Sequence, residues 1–269
     1  MEKPTGLGRW PNAPLAYLTA EIKFQRVLDF EVQLPALTAH LSDRYPLEES
    51  SSALEIGGPG SSPSMEPLRD FKNFTSTMGV RLARGSLSLH CTDYAGSGSF
   101  QSQWFQLLDL LADLLKPRVL LRSSLRCVDL LVPQGDELPD HYLVPSLRPW
   151  REGSKVLGDF EQGNTVSRFK YQDISTTVLI LARIKGQFVL PPTLAAMSLA
   201  FSPVQAKALQ FHQSTGRPFA IMDTDVAHEA ARPFDLEALK AQFKQIHQLA
   251  SASFRAATTE EAQRFWQTP

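Results

Sequence analysis

The sharpest group of potential metal ligands lies between residues 223 and 229. Asp223 and Asp225 stand two positions apart near the end of a predicted strand, so their carboxylates point to the same side. Two such carboxylates can bind a hard divalent cation, and His228 or Glu229 could complete the site. A strand end that simply faces water gives the same pattern, and this is the interpretation we favour. The alternative is a metal-dependent phosphate- or nucleotide-processing enzyme that uses Asp223 and Asp225.

Basic side chains share faces on several predicted strands. Arg122 and Arg126 lie on one face of the strand predicted over 118–132, and Arg84 is placed to join them from the strand before. In the second half of the chain, Arg168 and Lys170 also share a face. A guanidinium group binds a carboxylate or a phosphate through two parallel hydrogen bonds. These five residues, here called the arginine row, therefore predict a surface that binds acidic groups.

The arginine row has two other interpretations. One is pairing within the fold, since carboxylates are available at Glu21, Asp70 and Asp129. The other is binding of nucleic acid through an arginine-bearing sheet face. The predicted strand over 81–92 has no Phe or Tyr on which RNA bases would stack, and the formal net charge is only -1. Nucleic-acid binding is therefore not favoured.

No convincing nucleophile or cofactor motif is present. Cys127 and His90 could meet across neighbouring strands, but no Asn or Asp is evident to orient the histidine, and a core cysteine is the simpler interpretation. The glycines at 57, 58 and 60 fit neither the dinucleotide fingerprint nor a P-loop. We therefore expect no catalytic residues and no cofactor.

The composition is that of a globular protein without a strong overall field. Lys and Arg total 27 against 28 Asp and Glu, and 43% of the 269 residues are hydrophobic. Only two cysteines occur, and no run of 18 apolar residues or signal-peptide pattern is seen. These features predict a cytoplasmic protein that does not span a membrane.

The first half of the chain predicts one α+β domain over 14–132, after a polar lead-in at 1–13. The central helix carries Trp104, Leu107, Leu108 and Leu111 at helical spacing, with Ser102 as its cap and Pro117 as its stop. The other predicted elements are strands at 14–25, 69–77, 80–93 and 118–132 and a helix at 31–45. The serine- and glycine-rich stretch at 47–67 is expected to be a flexible loop. The order β-α-β-β-α-β is that of the ferredoxin-like split unit.

The second half predicts an antiparallel sheet covered by one long C-terminal helix over 163–269, after a proline-rich linker at 133–162. Asp235 is placed to cap that helix, whose apolar stripe includes Leu239, Phe243 and Ile246. Strands are predicted over 165–172, 176–184, 194–202 and 218–226. The chain as a whole is therefore placed in the α+β class.

Short phrases spread over nearly the whole chain carry a resemblance to a known family. They are Asn12-Ala13-Pro14-Leu15, Glu21-Ile22-Lys23-Phe24, Arg44-Tyr45-Pro46, Trp104-Phe105, Leu121-Arg122-Ser123-Ser124-Leu125-Arg126, Ile221-Met222-Asp223, and His247 with Phe254, Thr258 and Trp266. In these phrases the chain resembles an uncharacterised, sporadically distributed family of bacterial proteins of about this length. That family usually has an aromatic residue and an asparagine where this chain has Cys127 and Asp129. The resemblance brings no activity, but patchy occurrence is typical of genes in defence, toxin-immunity or accessory clusters.

The function expected from the sequence is recognition of a partner protein. The absence of a convincing catalytic group, the neutral charge and the arginine row together favour a non-catalytic bacterial protein such as an immunity, antitoxin or accessory-complex subunit. The sequence does not predict the oligomeric state.

Overall fold

One antiparallel sheet contains the ten strands that the computed structural model describes. The described residues are 10–55, 64–133, 137–151, 154–183, 192–203, 205–207, 209–210 and 216–268. The strands of the first half are β1 (Leu15–Phe24), β2 (Leu47–Glu55), β3 (Ser64–Lys72), β4 (Met78–Ala83), β5 (Ser86–Cys91) and β6 (Val119–Leu131). Those of the second half are β7 (Gln162–Tyr171), β8 (Ile174–Arg183), β9 (Phe219–His228) and β10 (Arg232–Pro233). The predicted α+β class is thus confirmed.

The two halves of the chain share this sheet because β6 lies between β1 and β9. The strand order is β2-β3-β4-β5-β1-β6-β9-β8-β7, with the short β10 beside one end of β6. The pairing of β6 with β9 is continuous from Ser123 opposite His228 to Leu131 opposite Ala220. Strand β6 therefore joins the two halves of the chain, because it pairs with β1 of the first half and with β9 of the second.

Three helices cover one face of the sheet. They are α1 (Phe30–Ser42), α2 (Ser97–Leu114) and α5 (Leu236–Ala257), with α2 in contact with both of the others. The remaining helices are α3 (Ser154–Leu157), α4 (Pro192–Ala195) and α6 (Glu260–Gln267), and 3-10 turns span Pro139–Tyr142 and Pro145–Leu147. Among the described residues, none of the helices combines the length and apolar character needed to cross a membrane.

The core between α2 and the sheet follows the predicted leucine stripe. Trp104, Leu107, Leu108 and Leu111 are all buried against the sheet. The helix begins at Ser97, earlier than predicted, and Ser102 lies inside it and does not cap it. Phe100 adds a buried turn that the sequence pattern did not include. At the other long helix the prediction is confirmed, since the Asp235 carboxylate accepts a hydrogen bond from the Ala238 N–H at 3.0 Å.

Three segments of the first half differ from the expected structure. The strand predicted over 80–93 is a hairpin of β4 and β5 with its turn at Arg84-Gly85. Residues 47–55, predicted as loop, form the edge strand β2, and the Lys72 ammonium ties it to β3 through Glu49 at 2.6 Å. Residues 56–63 of the same predicted loop lie outside the described residues. The turn expected at Met78-Gly79 falls earlier, where the Asn73 side-chain oxygen accepts hydrogen bonds from the Thr77 and Met78 N–H groups.

The sheet face opposite α1, α2 and α5 is called the far face, and it carries Glu21, Ser88, Arg122, Arg126 and Asp223. One end of this face is covered by the segment around α4. The buried side chains that meet there are Ala16, Tyr17, Val128, Leu130, Leu194, Leu209, Phe219 and Ile221. The centre of the far face, around Arg122 and Arg126, is polar.

Replacing Gly79 with alanine is expected to lower the free energy of unfolding by about 1–3 kcal/mol, because the new methyl group over-packs the contact between β4 and the α4 segment. A Cβ atom at this position would lie 2.5 Å from the Met197 Cε and 2.9 Å from the Phe71 carbonyl oxygen. Urea unfolding measures the difference. Gly98→Ala in α2 is the matched control, since nothing lies within 4 Å of its Cβ position. The control is expected to be unchanged or up to about 1 kcal/mol more stable, and equal effects of both variants would contradict the packing argument.

Candidate functional site

The centre of the far face is built by β6 and its two neighbours. Arg126 on β6 lies opposite Thr19 of β1 on one side and opposite Asp225 of β9 on the other. Because side chains alternate along a strand, Arg122 and Arg126 project to this same face. The sequence prediction that they share a face is therefore confirmed by the register.

Arg126 is held by a carboxylate of the chain itself. Its Nε donates to the Asp223 Oδ1 at 2.8 Å, and its Nη2 donates to Oδ2 at 2.6 Å. This is the planar, two-bonded geometry of an arginine–carboxylate pair. Asp223 is buried, and its hydrogen bonds are the largest cause of the raised pKa of Arg126. The guanidinium group of Arg126 is therefore already bound by Asp223.

Arg122 lies among three carboxylates. Its Nη1 donates to Glu21 at 2.8 Å, its Nη2 donates to Asp225 at 2.7 Å, and Glu229 lies 3.5 Å from its Nε. Burial raises the pKa of Asp225, while Arg122 and then Arg126 act to lower it. This guanidinium group, like that of Arg126, is neutralised within the fold.

The charge of this region is the opposite of the expected one. Two guanidinium groups meet four carboxylates, and the ammonium group of Lys23 lies opposite Arg122 in the register, which leaves a formal excess of one negative charge around Arg122 and Arg126. An acidic ligand or a nucleic-acid phosphate would be repelled here rather than attracted. Of the interpretations that the sequence left open for these two residues, pairing within the fold is the one that the geometry matches.

The three residues considered as metal ligands do not converge. Asp223 and Asp225 project from the far face of β9, where each binds an arginine. His228 is an odd number of positions away from both and projects from the helix-covered face. Among the described residues, no group of three or more His, Cys, Asp or Glu side chains is arranged to hold a metal ion.

The remaining members of the arginine row are spread over the molecule. Arg84 lies in the turn between β4 and β5, not on a strand, and its Nη2 pairs with Glu31 of α1 at 3.0 Å. Arg168 and Lys170 lie on β7, at the end of the sheet away from Arg84, with both side chains exposed. Arg84 therefore does not join Arg122 and Arg126 on a strand face, whereas Arg168 and Lys170 share one face of β7.

A buried polar network on the far face was missed by sequence reasoning. The Arg81 guanidinium binds Asp70 through two hydrogen bonds of 2.7 Å and also donates to the Ala196 carbonyl at 3.0 Å. Beside it, His90 contacts Ser88 at 2.7 Å and Tyr17 at 3.0 Å. Alternation of side chains on β5 could have grouped Ser88 with His90, but the partner on β1 depends on the register.

This network does not have the properties of a nucleophilic site. Burial lowers the pKa of His90 to about 3, so the imidazole is neutral at physiological pH. Cys127, considered as its partner, belongs to the helix-covered face with Leu18 and cannot reach it. Burial also raises the pKa of the Cys127 thiol well above its ordinary value. The Cys127 and His90 pair is therefore not assembled.

No protein-family model matches this sequence, and no curated protein matches it at a significant level. Function is therefore inferred from the geometry above.

Proposed function

We propose that this protein is non-catalytic and binds a partner protein through strand β7, which takes up an extended acidic segment of that partner. The observation that carries the proposal is the pair Arg168 and Lys170. Both are exposed on one face of β7, and neither has a carboxylate partner among the described residues. They are the members of the arginine row that stay available to a ligand.

The position of β7 in the sheet supports this assignment. Among the strands that the structure describes, β7 is the outer one on its side, and it pairs with β8 from Gln162 opposite Arg183 to Tyr171 opposite Ile174. An outer strand leaves alternate N–H and C=O groups without a strand neighbour, so an added extended peptide can continue the sheet. Ten residues of β7 offer a long edge for such pairing.

Apolar side chains of β7 are exposed to an unusual degree. Val166 is 59% exposed, Phe169 62% and Tyr171 58%. Val166 lies on the same face as the two cations, whereas Phe169 and Tyr171 lie on the opposite face. Exposed aromatic and β-branched side chains beside an open edge are typical of a binding strand. A partner strand that pairs with the backbone of β7 would place its own side chains beside these exposed residues and partly cover them.

The charge of β7 selects an acidic partner. Arg168 and Lys170 are two positions apart, so carboxylates at every second position of an added strand would lie across from them. A second copy of β7 would instead bring two further cations to the same patch. We therefore assign the edge to a different protein with an acidic extended segment.

Reversing the charge of both cations is expected to weaken binding of an acidic extended peptide by about tenfold or more, because two attractive contacts become repulsive. The probe is a peptide of about ten residues in which threonine and glutamate alternate, the length of an ordinary long strand. Calorimetric titration of the unmodified protein and of Arg168→Glu/Lys170→Glu gives the two dissociation constants. A peptide of the same length in which threonine and lysine alternate is expected not to bind the unmodified protein, because its cations face Arg168 and Lys170.

The matched control reverses two exposed cations of α5, Lys244→Glu/Arg255→Glu, and is expected to leave the affinity unchanged. Affinity purification from the native host with the same three proteins as bait extends the test to the natural partner. Equal recovery of a partner by the unmodified protein and by the β7 variant would refute the proposal, as would equal affinity for both peptides.

Finer assignments belong to the same proposal. A cytoplasmic location is supported by the free cysteines Cys91 and Cys127. A ferredoxin-like first half is supported by the strand order β6-β1-β5-β4, with α1 after β1 and α2 after β5, to which the β2–β3 hairpin is added. We also assign the protein the role of an immunity, antitoxin or accessory-complex subunit. Such subunits act by binding another protein, as proposed here for the edge of β7.

A further inference from the structure

A cavity of about 480 Å³ lies between the end of α1, the first half of α2 and the turn from β3 to β4. Its size falls within the range of small-molecule sites. It is far from β7, since β3 and β4 lie on the other side of β1 and β6 in the sheet. Anything that binds there does so independently of the proposed partner edge.

The amide oxygens in this cavity are already used. The Tyr45 hydroxyl donates to the Gln103 Oε1 at 3.1 Å, and the Arg44 Nη1 donates to the Gln106 Oε1 at 3.0 Å. Burial raises the pKa of Tyr45 to about 12, so this hydroxyl keeps its proton and stays a donor. The two glutamines are thereby oriented with their NH₂ groups as donors. Gln103 donates one N–H to the Ser99 Oγ at 3.4 Å, so its second N–H is the one still able to bind a ligand.

The wall of the cavity is rich in hydrogen-bond donors and lacks carboxylates. Ser99 and Ser102 add hydroxyl groups beside the two glutamines. Among the described residues that line the cavity, Arg44 is the one charged side chain. A site with one guanidinium group, amide NH₂ groups and hydroxyls is complementary to an oxyanion.

The cavity also has an apolar part. Met78 is half-buried and lines it next to the polar groups, whereas the Tyr45 ring is buried in the core. A methionine adapts its shape to flat or irregular ligands. The two parts together suit a ligand with an apolar or aromatic body that bears an anionic group.

We infer that this cavity binds a small molecule with a carboxylate or phosphate group on an apolar or aromatic body, held by Arg44 and by the glutamines and serines of α2. The anionic group lies against Arg44, and the body lies against Met78. The inference goes beyond partner binding and does not depend on it.

The test uses phenyl phosphate, benzoate and the uncharged benzamide as probes on the full isotope-labelled protein. Phenyl phosphate or benzoate, at concentrations up to about 10 mM, is expected to shift the side-chain amide signals of Gln103 and Gln106. The preferred probe of the two tells whether phosphate or carboxylate is recognised. Benzamide is expected to bind at least about tenfold more weakly, since it cannot form the charge-assisted bonds.

Arg44→Gln is expected to weaken binding of the preferred probe by about tenfold or more. Arg264→Gln, on α6, is the matched control and is expected to bind like the unmodified protein. Ser102→Trp, at an exposed helical position, is a second variant that fills the cavity without touching the core. Amide signals unmoved by either anion, benzamide binding as tightly as the anions, or unchanged affinity in both cavity variants would each overturn the inference.

Discussion

Replacing Arg81 with methionine is expected to lower the free energy of unfolding by about 3–5 kcal/mol, because it leaves a buried carboxylate without its counter-charge. The Asp70 side chain is 3% exposed and that of Arg81 13%, and the two share a pair of 2.7 Å hydrogen bonds. The same change removes the hydrogen bond to Ala196 that fixes the α4 segment on the far face. Urea unfolding at neutral pH measures the loss.

Arg84→Met is the matched control for this prediction. Its ion pair with Glu31 is 45% and 54% exposed, so its removal is expected to cost less than about 1 kcal/mol. A double variant, Arg81→Met/Asp70→Leu, is expected to recover much of the lost stability because no charge is then buried alone. A loss in Arg81→Met no greater than in Arg84→Met would show that the buried pair does not hold the far face together.

The elements best predicted from the sequence are those with a strong local period. The strand predicted over 14–25 forms as β1, where every second residue from Leu18 to Phe24 is buried beneath the helices, and α2 buries the leucines that recur at helical spacing. The capping of α5 by Asp235 was also predicted, since a cap depends on residues only a few positions away. Such features need no knowledge of the tertiary structure.

Glu21, one of the carboxylates that the sequence offered for pairing, does bind Arg122, but the other partners of the arginine row could not be predicted in this way. Arg126 and Asp223 are 97 positions apart, and they meet only because β6 and β9 pair in one register. A small error in the predicted position of a turn shifts the register of the two strands and so predicts the wrong cross-strand partners. A hairpin turned at Met78-Gly79 would place Asp70 opposite Leu87, whereas the actual turn places it opposite Arg81.

The edge strand β2 shows a second limit of local patterns. Its sequence is rich in serine and glutamate, so composition alone predicts a loop. The strand forms because β3 offers it a backbone edge and cations such as Lys72 to pair with Glu49. The exposed, charged character of β2 is also what protects an outer strand from adding further strands. By this comparison β7, with its exposed aromatic residues, is the less protected edge of the sheet.

Asp129 is a buried carboxyl group in the middle of this structure. Burial, and after it the charge of Asp223, raises its pKa from 3.8 to about 8. In the unfolded chain the same group loses its proton near its ordinary pKa of about 4. Between these values the folded state holds one proton more than the unfolded state, so the free energy of unfolding falls as the pH rises from about 4 to about 8.

Asp129→Asn is expected to remove this pH dependence and to stabilise the protein by up to about 5 kcal/mol at pH values near 8, with little difference from the unmodified protein near pH 4. The amide cannot ionise, so the cost of a buried negative charge disappears. Urea unfolding of both proteins across this pH range gives the difference directly.

Asp113→Asn, at an exposed position of α2, should follow the unmodified protein at every pH. A difference between Asp129→Asn and the unmodified protein that stays constant from pH 4 to pH 8 would mean that folding does not raise the pKa of the Asp129 carboxyl.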